Sequence, residues 1–180
     1  MFPYHILVTL DRNYLKVLSV MLYSLSQSDP EGVYTIYVVN NTLTEEDFAS
    51  LSALLPRTEL VNVEVSEDLL QNAPVSDRYP TEMYYRLFAA RYLPQQLERI
   101  LYLDPDLVVL HSRRRLHLSE HAKYLNSGVM MMNLALLRKE SPQTIIDYIQ
   151  SHKATLLLPD QDVLNALYAD RTVPLDPMVY

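Results

Sequence analysis

The chain has 180 residues, 49% hydrophobic and 21% charged, with a net charge of −7. That length supports one domain with a real core rather than two. The negative balance excludes a general nucleic-acid binder, which needs clustered Lys and Arg. There is no Cys, so neither a disulfide framework nor thiolate chemistry is available.

The first residues, Met1 to Asp11, lack a basic region and meet an acid too early for a signal peptide. No run approaches the ~18–20 apolar residues of a membrane span. The expected setting is cytoplasmic. Association with the inner membrane face and a homodimer stay open, and the short basic cluster Arg113–Arg115 reads as a solvated loop.

His5–Leu10 is a short apolar run that reads as a buried strand, followed by the polar turn Asp11-Arg-Asn-Tyr14. Leu15, Leu18, Leu22 and Leu25 then recur at helical spacing, and Ser28–Gly32 closes the helix. Val33–Val39 has strong β composition. Thr44 with Asp47 resembles a capping box and opens a helix over 45–55. Glu59–Val65 alternates as a third strand. Strand–helix–strand–helix–strand is the order of a parallel α/β sheet.

Residues 66–80 are irregular and polar, and Thr81–Leu93 reads as a Thr-capped helix stopped by Pro94. It runs into Arg99–Leu110, an apolar strand that delivers Asp104 and Asp106 near its end. Buried carboxylates must be paired or metal-bound. At i and i+2 in a strand the two share a face and can converge on Mg or Mn, which take oxygen ligands together with substrate phosphates. Pro105 marks the end of sheet pairing. In open α/β sheets ligands collect at the carboxyl ends of strands, so Asp11, Asn13, Asp104 and Asp106 are expected on one rim.

His111, His117 and His121 lie in a stretch without clear periodicity. Gly128 stands between the polar Asn126-Ser127 and an apolar strand, where glycine permits unusual φ or a close backbone approach. Met130–Met132 reads as core packing. A helix spans about Pro142 to His152, and Asp160-Gln-Asp162 opens another whose apolar face is Val163, Leu164 and Leu167. On its own Asp160 reads as a helix cap.

Leu-Asp-Arg-Asn-Tyr14, Tyr-Leu-Asp-Pro-Asp106, Asn-Ser-Gly-Val-Met130 and Pro-Asp-Gln-Asp-Val-Leu-Asn165 occur in a distinctive order. In these motifs the chain resembles the family 8 glycosyltransferases, over about residues 5–180. That group includes bacterial lipopolysaccharide galactosyl- and glucosyltransferases, glycogenin and the general-stress-protein A type. The resemblance implies a GT-A fold, a Rossmann-like α/β domain with a mostly parallel central sheet. It implies a UDP-sugar donor, Mn²⁺ (or Mg²⁺), a glycan or lipid-linked acceptor, and hexose transfer with retention of configuration.

Residue by residue, the resemblance gives Asp11 and Asn13 to the uracil and Tyr14 to stacking near it. Asp104 and Asp106 match the metal ligands, with Asp106 also near the ribose. Arg86, Asn126 and Gly128 match positions near the donor sugar, Asp160 the residue holding sugar hydroxyls, and Gln161 the one near the anomeric centre. An amide is a poor nucleophile, which favours a front-face route in which the diphosphate takes the acceptor proton. Asp160 as covalent nucleophile is the weaker option.

Three departures accompany the match. The family's C-terminal His-x-x-Gly-x-x-Lys-Pro-Trp segment is absent, so the chain reads as a single shortened GT-A-like domain. The interval from Asp106 to Asn126 is short, and there are only 2 glycines. Two alternatives remain: a non-catalytic UDP-sugar binder or degraded member, and a haloacid-dehalogenase-type phosphohydrolase. Asp104-Pro-Asp-Leu-Val108 fits the nucleophile strand of the latter, although that motif belongs on a first strand.

Overall fold

Strands rich in Val, Ile and Tyr with helices between them form a single sheet, seen in a computed structural model that describes residues 3–65, 81–109 and 126–174. β1 (Tyr4–Thr9) leads through a 3₁₀ turn, Arg12–Tyr14, into α1 (Leu15–Ser28). β2 (Tyr34–Val39), α2 (Glu45–Ser52) and β3 (Thr58–Val63) follow. A 3₁₀ helix, Thr81–Phe88, runs into α3 (Ala89–Tyr92) and β4 (Arg99–Leu103). The remaining elements are β5 (Val129–Asn133), α4 (Leu134–Leu137), α5 (Pro142–His152) and α6 (Pro159–Tyr168), with a last 3₁₀ turn, Ala169–Arg171.

The strand order is β3-β2-β1-β4-β5. β1 pairs in parallel with both β2 and β4, β2 in parallel with β3, and only β5 runs antiparallel, against β4. The chain therefore winds outward one way from β1 and then returns to its other side. That reversal opens a crevice at the carboxyl ends of β1 and β4, where α/β sheets bind ligands.

The sheet is covered on both faces, which is why its central strands read as unbroken apolar runs. Ile6 and Val8 of β1, with Ile36 and Val38 of β2, pack among Leu18, Met21, Leu22 and Leu25 of α1. Leu7, Tyr37 and Val39 point the other way, into a core with Tyr84, Phe88, Tyr102, Ile145, Ile149 and Val163. The i, i+3, i+4, i+7 stripe of α1 is thus its buried face. In β5 the pleat divides the methionines: Met132 is core and Met130 packs against it, while Met131 faces solvent.

Local chemistry sets the helix ends. The Thr44 hydroxyl accepts from the Asp47 N–H and the Asp47 carboxylate accepts from the Thr44 N–H, the capping box foreseen for α2. Those bonds hold the Asp47 carboxyl below its usual range. Ser141 caps α5, with Pro142 at its first turn.

Three expectations need correction. Thr81–Leu93 is not one α-helix, because Thr81–Phe88 is 3₁₀ and only Ala89–Tyr92 is α. Tyr84 to Phe88 are all buried, and an amphipathic α-helix would turn one face outward; enclosure on every side overrides helical propensity. The strand expected over Arg99–Leu110 ends at Leu103, leaving Asp104 and Asp106 on the turn that follows. Gly128 has no positive φ, so close approach is its reason for being glycine. Residues 66–80, Arg113–Arg115, His111, His117 and His121 lie outside the described residues. Among the described residues, no helix is long and apolar enough to cross a membrane.

Arg138, just past α4, fastens the connection that feeds β4. Its guanidinium donates to the carbonyls of Ala90 (3.2 Å), Pro94 (2.8 Å), Gln95 (3.0 Å) and Leu97 (2.8 Å). Charge-assisted bonds to backbone carbonyls stabilise more than neutral ones. Arg138→Ala is expected to lower unfolding free energy by about 2–3 kcal/mol in a urea titration. Arg138→Lys, which cannot span four carbonyls, should recover less than half.

Candidate active site

The site grows from the ends of β1 and β4. Because the two strands are parallel, Asp11 and Asp104 leave the sheet along the same edge, as expected from the sequence. Thr9 Oγ1 and the Tyr102 hydroxyl meet across them at 3.3 Å. Tyr102 is two residues before Asp104 and on the same face. Burial pushes its phenol far above the usual range, so it stays protonated and donates to Asp104 Oδ1 at 2.6 Å.

Arg86 closes the floor. It is 8% exposed and rises from the middle of the 3₁₀ helix. Its Nη1 lies 3.1 Å from Asp104 Oδ1 and its Nη2 lies 2.5 Å from Asp160 Oδ2. The Asp160 contact is an ion pair too far off-axis to count as a hydrogen bond, since Oδ2 has no hydrogen-bond partner among the described residues. Nη1 also donates to the Ser127 carbonyl at 3.1 Å, and the guanidinium lies 4.6 Å from the centre of the Tyr102 ring. Burial works against its charge, but Tyr102, Asp160, Asp104 and Asp106 outweigh that and hold its pKa above the usual value.

Asp160 is more than the cap suggested by its position: its carboxylate takes backbone N–H groups of Asp160 and Gln161 at the start of α6 and also pairs with Arg86. The residue before α6, Leu158, provides no side-chain cap. The turn is held instead by Asp162 Oδ2, which accepts from the N–H groups of Leu157 (2.7 Å) and Leu158 (3.0 Å). Asp160 is 3% exposed, and burial lifts its carboxyl pKa despite Arg86. Next to it, Gln161 Oε1 accepts from the Ser127 N–H at 3.1 Å.

Asp104 and Asp106 differ sharply. Asp104 Oδ1 is taken by Tyr102 and Arg86, whereas Oδ2 faces Gly128, where a Cβ would come within 2.9 Å of it. Asp106 is exposed, near enough to add to the field on Arg86. Three carboxylates thus share one guanidinium, leaving an excess of negative charge beside an open turn. Two carboxylates on such a turn suit a hard divalent cation whose other positions are filled by phosphate and water. Among the described residues there is no group of three metal-ligating side chains, so Asp104 and Asp106 stand as a pair.

The expected nucleoside residues gather at the end of β1. Asp11 Oδ1 accepts from the N–H groups of Asn13 (2.9 Å) and Tyr14 (3.2 Å), and Oδ2 from Asn13 Nδ2 (3.0 Å). Asn13 and Tyr14 are exposed on the rim. Asn126 is also exposed, its Oδ1 accepting from the Gly128 N–H at 2.7 Å. Asp106 also lines a shallow hollow of about 310 Å³ with Lys16, Val17, Val20, Leu107 and Val108.

The sequence profile of glycosyl transferase family 8 matches residues 5–117 and 110–179. The chain belongs to this family. It is 24% identical over 192 residues to a lipopolysaccharide 1,2-glucosyltransferase of Escherichia coli, covering 88% of this chain and 57% of that protein. It is 25% identical over 205 residues to general stress protein A of Bacillus subtilis (strain 168), covering 96% of this chain and 72% of the relative. The chain therefore spans little more than half the length of the glucosyltransferase. The crystal structure of galactosyltransferase LgtC in complex with donor and acceptor sugar analogues superposes with a TM-score of 0.75 at 21% identity, over 91% of this chain and 70% of that one. The shared architecture is the GT-A fold. A haloacid-dehalogenase reading is set aside: Asp104 follows the fourth strand, and its Oδ1 is bound to Tyr102 and Arg86.

Sequence reasoning missed Tyr102, Thr9 and Ser127. Tyr102 carried a readable signal, since it shares a strand face with Asp104. Ser127 did not, because its partners come from two distant segments.

Removing Arg86 would strand two poorly solvated carboxylates. Arg86→Met is expected to lower stability by about 3–5 kcal/mol, measured by urea unfolding. Adding Asp160→Asn to that variant should restore part of the loss; no recovery would show that the two do not form a functional pair.

Proposed function

We propose that this chain is a single GT-A domain that binds a UDP-sugar with Mn²⁺ or Mg²⁺ and transfers a glucose or galactose unit, with retention, to a glycan or lipid-linked acceptor. The observation that carries this reading is the shared Arg86: three carboxylates around one guanidinium, at the switch point of the sheet, leave charge for a divalent cation to offset. Membership of the family supports a nucleotide-sugar donor and a transferase reaction.

In this reading Asp104 Oδ2 and Asp106 hold the metal, which when bound supplies Lewis-acid stabilisation to the departing diphosphate. Asp11 and Asn13 read the uracil edge, and exposed Tyr14 offers a ring for stacking. Tyr102 and Arg86 engage Oδ1 of the Asp104 carboxylate, leaving Oδ2 on the Gly128 side for the cation. Gly128 lets the Asp104 carboxylate lie close against its backbone, and Asn126 stands at the same edge. Asp160, paired with Arg86, accepts from sugar hydroxyls. Gln161 lies near the anomeric centre. Gln161 is an amide and a poor nucleophile, which favours the front-face route, with the diphosphate taking the acceptor proton. The reaction belongs to the cytoplasm in this reading, with lipopolysaccharide or another cell-surface glycan as acceptor class.

A non-catalytic sugar-nucleotide binder is the second reading, favoured by the described residues offering only a pair of metal-ligating carboxylates. Calorimetric titration of UDP with and without Mn²⁺ tests the binding step common to both. The expected result is metal-dependent binding that weakens at least about tenfold in Asp104→Ala. UDP binding that ignores both metal and variant would contradict the assignment. UDP release from UDP-glucose or UDP-galactose then separates enzyme from binder.

A further inference from the structure

Ser127 is 5% exposed and sits where three segments meet. Its N–H donates to Gln161 Oε1 at 3.1 Å, and its hydroxyl to the same oxygen at 3.3 Å. Arg86 Nη1 donates to the Ser127 carbonyl at 3.1 Å and to its hydroxyl oxygen at 3.4 Å. The α6 backbone beneath is tied as well, Asn165 Nδ2 donating to the Gln161 carbonyl at 2.8 Å.

These bonds decide which way round the Gln161 amide sits. A backbone N–H can only donate, so the atom that meets it must be the amide oxygen. The two hydrogens on Nε2 are left without a partner among the described residues, on a side chain that is half-buried. The hydroxyl of Ser127 accepts from a guanidinium and donates to an amide oxygen, an arrangement in which each bond polarises the next and makes the Nε2 hydrogens better donors.

We infer that Ser127 is a positioning residue that locks the Gln161 amide with its oxygen inward, so that Gln161 acts on the bound sugar nucleotide as a hydrogen-bond donor through Nε2. This rests on the sugar-nucleotide reading above. The atom of Gln161 with any nucleophilic character is already engaged by two donors. The anomeric carbon is therefore met by N–H groups, which suit a ring, hydroxyl or phosphate oxygen, and not by the carbonyl. Gln161 serves by orienting the donor, and forms no bond to it.

The test uses the ¹⁵N,¹³C-labelled 180-residue chain. In the free protein, a scalar coupling across the hydrogen bond from the Ser127 N–H to the Gln161 side-chain carbonyl is expected. Ser127→Ala should displace the Gln161 Nε2 proton pair while leaving the unfolding midpoint within a few degrees. With Mg²⁺ present, UDP-glucose or UDP-galactose should move that pair further than UDP alone. In UDP-release assays, Ser127→Ala should lower kcat by about 3- to 10-fold, the size of one lost hydrogen bond, with KM for the sugar nucleotide within about twofold. The same substitution in a Gln161→Ala background should have no added effect.

No coupling across the hydrogen bond, an unmoved pair in Ser127→Ala, or multiplicative kinetic effects would overturn this inference while leaving the donor site standing. A coupling in the free chain with no nucleotide binding by calorimetry would overturn the sugar-nucleotide reading itself, and with it Gln161's role towards that ligand.

Discussion

One buried guanidinium holds this site together. Arg86 is enclosed among Tyr102, Ser127, Asp104 and Asp160, and a charge so poorly solvated persists only where its partners are fixed. The dependence is mutual. Without Arg86, Asp160 would lose its counter-charge in the core, and Asp104 would lose one of the two partners of its Oδ1. The 3₁₀ segment itself follows from this, because it must carry Arg86 through the interior with its neighbours buried on every side.

The rest of the fold brings those partners to one place. Parallel pairing of β1 with β4 sets Asp11 and Asp104 on a common edge, and reversal of strand order at β1 opens the crevice between them. Antiparallel β5 returns Gly128 beside Asp104, whose N–H donates to the Gly128 carbonyl at 2.8 Å. α6 then presents Asp160 and Gln161 from the opposite side. Asp11, Asp104 and Asp160 thus sit at the ends of regular elements, while Arg86 comes from within the 3₁₀ helix. Tyr102 and Ser127 lock the orientation of groups that a ligand would meet.

Much of this was legible in the sequence, for reasons that differ between elements. The strands of the first half announced themselves because both sheet faces are covered, so β2 is buried along its whole length. The capping box of α2 and the start of α5 at Pro142 are local chemistry and appear in the structure where the sequence put them. The rim shared by Asp11 and Asp104 followed from topology. What stayed hidden depends on tertiary contact. The 3₁₀ form of Thr81–Phe88 reflects burial on all sides, which composition cannot express. Asp160 reads as a cap because acids favour helix starts, but its pairing with Arg86 was hidden, and Asp162 ties the turn before it. Ser127 joins residues 41 positions before it and 34 after it, a separation that no motif spacing encodes.

The central claim is that Arg86 and its carboxylates frame a divalent-cation site whose open ligand is Asp104 Oδ2. The most direct measurement is anomalous scattering from crystals grown with Mn²⁺ and UDP. The account requires a manganese peak within bonding distance of Asp104 Oδ2 and Asp106, with Arg86 still paired to Asp104 and Asp160. A peak away from these carboxylates, or nucleotide bound with no metal beside them, would contradict it.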